Sequence, residues 1–93
     1  MSVSATNDPT AQDPMALALR ALAATLADQR LAERFLSLSG IEPPDLRQRA
    51  GDPDLLAELL RFLEAHEPDL ITVAETLEVK PEALVAARRK IEQ

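Results

Sequence analysis

From Asp52 to His66 the chain reads DPDLLAELLRFLEAH, and this run dictates what the rest can become. At about 100° per residue, Leu55, Leu59, Phe62 and Leu63 share one side of a helix, and Leu56 and Leu60 widen the stripe to nearly half the circumference. Ala57, Glu58, Arg61 and Glu64 fall on the other half. Its start is marked by Asp52 as N-cap, Pro53 at the first helical position and Asp54 beside the positive end of the macrodipole. A helix this apolar on one side must be covered by other elements. Those elements are helices too, because no stretch alternates as a half-buried strand does.

The same punctuation recurs along the chain. Asp13-Pro14 opens a first helix running to Ala27, with Met15, Leu19, Leu22 and Leu26 at core spacing and Ala16, Ala21 and Ala24 keeping it thin. Asp28 ends it and caps a second, Gln29 to Ser39, whose inward face is Leu31, Phe35 and Leu38. Gly40 is placed to close that helix in a left-handed conformation. Pro43-Pro44 then starts a short third helix, with Ile41 and Leu46 spaced for a hydrophobic staple. Glu67-Pro68-Asp69-Leu70 repeats the start signal of Asp52-Pro53-Asp54-Leu55 and launches a fifth helix with Leu70, Val73, Ala74 and Leu77 inward. Lys80-Pro81 opens the last, with Leu84, Ala87 and Ile91 inward. Five of the seven prolines thus stand at helix starts, and connections of two to four residues turn each helix sharply on the last. The expectation is an all-α fold: a compact bundle of five or six short helices forming a single domain over residues 13–93. Residues 1–12, MSVSATNDPTAQ, carry little apolar content and are expected to form a disordered tail.

Composition narrows function mostly by exclusion. With no cysteine there is no disulfide framework and no thiolate metal site. The aromatics are Phe35 and Phe62 alone, too few for base-stacking platforms. The formal net charge is −6, spread as six basic against ten acidic residues up to Ala65 and four against six beyond it. That balance opposes non-specific binding to phosphate backbones or anionic lipid. No apolar run approaches the roughly 18–20 residues of a membrane span, and the opening residues lack signal-peptide order, so a cytoplasmic location is expected. Heavy use of Ala, Leu and Arg suggests a GC-rich bacterial source. A core of this size supplies about 3–5 kcal/mol of net stability, compatible with a monomer or a homodimer.

The segments RFLSLSGIEPPDLRQRA (Arg34 to Ala50) and DPDLLAELLRFL (Asp52 to Leu63), within a span from Met15 to Ile91, resemble a family of small alphaproteobacterial proteins known as domain of unknown function 3572. The resemblance implies a helical, cytoplasmic protein and carries over no activity, cofactor or functional residue. Within the chain, Ile41-x-Pro43-x-x-Leu46 and Val79-x-Pro81-x-x-Leu84 share one pattern 38 residues apart. This is compatible with duplication of a helix–turn–helix unit, or with convergence of two good helix starts.

Few constellations point to chemistry. Only Gly40 and Gly51 exist, so no phosphate-cradling loop is available. His66 is the sole histidine, without the partners a metal site needs. Ser37 and Ser39 lie at a helix end with no nucleophile elbow. Asp52/Asp54 and Glu67/Asp69 occur at helix starts, where negative charge is stabilising without any catalytic role. Val73 to Lys90, VAETLEVKPEALVAARRK, resembles a DNA-binding helix–turn–helix, but Lys80, Glu82 and Ala86 occupy the base-reading positions and Glu78 stands where the turn glycine belongs. Basic residues gather at Arg47 and Arg49 and at Arg88, Arg89 and Lys90, the candidate interaction surface. Leu17, Leu56, Leu60 and Val85 are candidates for apolar residues left at the surface. The reading is a small module acting by protein–protein contact or self-association, in regulation or as an adaptor. No catalytic activity, cofactor, metal or small-molecule substrate is expected, and nucleic acid is disfavoured. The alternative is a degenerate helix–turn–helix protein of transcriptional regulation, using residues 73–90.

Overall fold

Proline and carboxylate punctuation sets the element boundaries. The computed structural model describes residues 13–93, and the tail expected over residues 1–12 lies outside them. Six helices follow in order: α1 (Pro14–Ala27), α2 (Gln29–Ser39), α3 (Pro43–Gln48), α4 (Pro53–Glu64), α5 (Glu67–Leu77) and α6 (Pro81–Ile91). No strand occurs among the described residues, so the chain is all-α. Connections are one to four residues long, the shortest being Asp28 alone.

Local chemistry explains the starts. Asp13, Asp28 and Asp52 accept hydrogen bonds from the backbone N–H groups of Met15, Leu31 and Asp54 at 3.0, 3.2 and 2.9 Å. Each satisfies a donor the first turn would otherwise orphan. At α5 the cap falls one residue earlier than the Glu67-Pro68 signal implies: His66 is the N-cap, and Glu67 is already helical.

The two patterned junctions adopt the same path. Gly40 ends α2 in the left-handed region at φ 73°, and Glu42 then enters α3 extended at φ −79°, ψ 145°. Glu78 ends α5 at φ 60°, and Lys80 enters α6 at φ −79°, ψ 147°. Glu78 therefore does what a glycine usually does, and it is the sole non-glycine residue with positive φ among those described.

Helix α4 is covered over about half its circumference. Leu55, Leu56, Leu59, Leu60 and Leu63 are buried, and so is Ala57, which helical spacing had assigned to the polar half. Helix α1 crosses it and also packs on α2, α5 and α6. The face that α1 buries is Leu17, Ala18, Ala21, Leu22 and Thr25, rotated from the expected one, so Leu19 and Leu26 are 45% and 38% exposed. Leu17, Leu56 and Leu60 are thus core residues, not surface ones. The alanines at 18 and 21 let α1 approach its neighbours closely, which a leucine-lined face would not allow. Thr25 is buried at no polar cost because its hydroxyl donates back to the Ala21 carbonyl at 2.8 Å. No helix is long and apolar enough to cross a membrane among the described residues.

Candidate functional site

Helices α2 and α4 leave an open cleft of about 460 Å³ between them. From α2 it takes Arg34, Phe35, Leu38 and Ser39, which the i, i+1, i+4, i+5 spacing gathers on one face; from α4 and the residues just after it come Glu58, Arg61, Phe62, Ala65 and His66. Phe35 is buried, whereas Phe62 is partly exposed. Their rings stand 5.3 Å apart at 60°, a tilted pair that bridges the two helices. The Arg34 guanidinium lies 5.3 Å from the centre of the Phe62 ring, close enough for a cation–π contact.

Leu38 is the anomaly. It is 73% exposed, the most exposed large hydrophobic side chain among the described residues, although its spacing from Leu31 and Phe35 places it with the core face. It sits in the last full turn of α2, at the cleft, and no further helix covers it.

Beneath the cleft lies an ion-pair cluster. Arg34 donates to Asp69 Oδ2 at 2.6 Å, and His66 Nδ1 is 2.8 Å from the same oxygen. The Asp69 side chain is only 4% exposed. Burial alone would push its carboxyl up, but the hydrogen bonds from His66 and Arg34 outweigh that and hold it below the usual 3.8. Ionised Asp69 accepts from both, so Nδ1 carries the His66 proton and Nε2 is the uncommitted ring nitrogen. The cluster ties the first turn of α5 to α2 across 35 residues of sequence. Ser39 shares the cleft with His66, but its hydroxyl is spent on the end of its own helix, donating to the Leu36 carbonyl at 3.5 Å and accepting from Ile41 N–H at 3.2 Å. Among the described residues no group of three or more carboxylates or histidines is placed to hold a metal ion.

The five basic residues singled out by sequence have unlike surroundings. Arg47 is exposed, at the rim of a separate apolar pocket. Arg49 pairs with Asp52 at 3.3 Å. Arg88 is drawn into the structure: it donates to both oxygens of Glu64, at 2.6 and 3.0 Å, and to Glu92 at 2.7 Å. The hydrogen bonds to Glu64 raise its already high pKa further. Arg61 joins the same network through Glu92. Arg89 and Lys90 remain exposed, on a face of α6 shared with Glu82, Val85 and Ala86. Sequence reasoning did not single out Arg34, Leu38 or Phe62 as site residues; the one local signal available was the His66–Asp69 spacing of three.

The model of a family described as "Protein of unknown function (DUF3572)" matches residues 11–93. The chain belongs to that family. The match takes in every helix of the bundle, so the α2–α4 cleft of this DUF3572 protein is built wholly from the family's own domain. Neither curated proteins nor solved structures give a match to the chain.

Proposed function

We propose that this DUF3572 protein acts by protein–protein contact, without catalysis, by docking the apolar face of a partner's amphipathic helix into the α2–α4 cleft. The observation that carries this reading is Leu38, 73% exposed beside the partly exposed ring of Phe62. A leucine held in water forgoes the burial energy that drives folding, and an exposed apolar anchor beside a groove is what helix-in-groove recognition uses. Arg34 and Arg61 flank that apolar floor, and their charges are met by Asp69 and Glu92, so the floor itself carries the recognition.

The test compares the tagged wild-type chain with L38D in parallel captures from native lysate, each with and without nuclease. A protein held by the wild type and lost by L38D, with unchanged circular dichroism, supports the reading. Identical recoveries from the two chains refute it, and so does a wild-type dimer that L38D converts to monomer, which would make the occupant a second copy.

One observation favours a second reading, DNA contact through residues 73–90: the left-handed Glu78 gives α5 and α6 the turn that such motifs use. Against it, Arg88 is engaged by Glu64 and Glu92, and the acidic Glu82 stands at a base-reading position. Recovery that collapses on nuclease treatment would favour this second reading.

A further inference from the structure

A second pocket, of about 460 Å³, opens between α1, α2 and α3. Its lining is aliphatic, including Leu26, Ala32, Leu36, Pro43 and Leu46, and Arg47 is its one charged or polar side chain. Arg34, Arg49, Arg61 and Arg88 each pair with a carboxylate, but Arg47 makes no ion pair among the described residues. Its guanidinium is therefore an uncommitted fork of donors at the edge of an aliphatic hollow.

We propose that this pocket binds a small aliphatic monocarboxylate, its chain against Leu26, Leu36 and Leu46 and its carboxylate on Arg47. Three features fix the class. The volume lies within the roughly 300–1,000 Å³ of small-molecule sites. The lining offers no hydrogen-bonding side chain except Arg47, so a sugar or nucleotide would find one side-chain partner there, and an aliphatic chain matches the rest of the wall better. An unpaired guanidinium matches the planar carboxylate bidentately. The wall that must accommodate the chain is also lightly anchored. Helix α3 has six residues and contributes a single side chain, Leu46, to the core, so an outward shift would disturb only that one core contact.

Decanoate is the probe, followed by amide chemical shifts of the full-length protein below the micellisation concentration. Saturable shifts confined to residues lining the pocket are expected, with slowed amide exchange in α3. R47M keeps the aliphatic stem and removes the charge, and should weaken binding about tenfold. Because Arg47 is exposed and unpaired, that variant keeps the wild-type circular dichroism. A32F, which fills the hollow from α2, should abolish the shifts. Decanol binding as tightly as decanoate, equal affinity in R47M, or no saturable shift would each overturn the proposal. So would capture of an acidic peptide that depends on Arg47 while decanoate does not bind, which would mark a protein-docking face instead.

Discussion

Glu78 offers the sharpest test of how this chain stores strain. Its φ of 60° is left-handed, where a Cβ crowds the following carbonyl at a cost of about 1–2 kcal/mol. Glycine removes that cost but enlarges the unfolded ensemble by about 0.4–1 kcal/mol. E78G should therefore stabilise the domain by about 0.5–1 kcal/mol, equivalent to a rise of roughly 2–8 °C in Tm for a domain this small. The matching junction supplies the mirror experiment. Gly40 sits at φ 73°, and a Cβ built there meets no atom within 4 Å, so G40A introduces backbone strain with no clash. It should cost about as much as E78G gains. E78A separates backbone from charge: it removes the same carboxylate as E78G but keeps the Cβ, and should leave stability close to wild type. Thermal unfolding followed by circular dichroism, checked by urea midpoints, measures all three. If E78A stabilises as much as E78G, the gain belongs to the lost negative charge and the argument from φ is wrong.

Further outcomes follow from the packing. L17A should cost about 2–5 kcal/mol and L19A under about 1 kcal/mol, in urea unfolding, because α1 buries the first and exposes the second. L59A removes a fully buried side chain at the centre of α4. Its cost of about 2.7–5 kcal/mol rivals the whole stability of a core this size, so the variant should lose most of its helical signal at 25 °C. Asp69, held below its ordinary value, contributes stability that is complete above the unfolded pKa near 3.8 and is lost as pH falls through its lower folded value. D69N should therefore destabilise at pH 7, and its deficit relative to wild type should shrink as acid protonates the native carboxyl. A deficit constant down to pH 2 would show that the carboxylate charge is irrelevant.

The helix starts were legible because capping is local: Asp13, Asp28 and Asp52 lie within three residues of the donors they satisfy. The face buried by α1 was not. That helix is apolar around most of its circumference, so periodicity offers two stripes, and close packing chose Ala18 and Ala21 over Leu19 and Leu26. Leu38 follows the core spacing faithfully, and only the arrangement of the other helices reveals that nothing lies over it. Asp69 reads as an ordinary first-turn acid because its decisive partner, Arg34, is 35 residues away. The cleft inherits both difficulties. Phe35 and Phe62 were legible only as core-face residues, and the cleft they floor depends on a separation between α2 and α4 that no local pattern encodes.

The docking of α1 on α6 sets the order in which this protein can be made. Of the six described helices, the first to leave the ribosome finds its most extensive partner in the sixth, and Arg20 reaches across 57 residues to the Leu77 carbonyl of α5. A nascent chain that has emerged only through α5 has no Leu84 or Ala87 to fill the core beside α1 and α4. Closure then waits for α6. Until that moment α1 presents Leu17 and Leu22 to solvent or to a chaperone, and a pause in translation near the α5–α6 turn would lengthen the exposure.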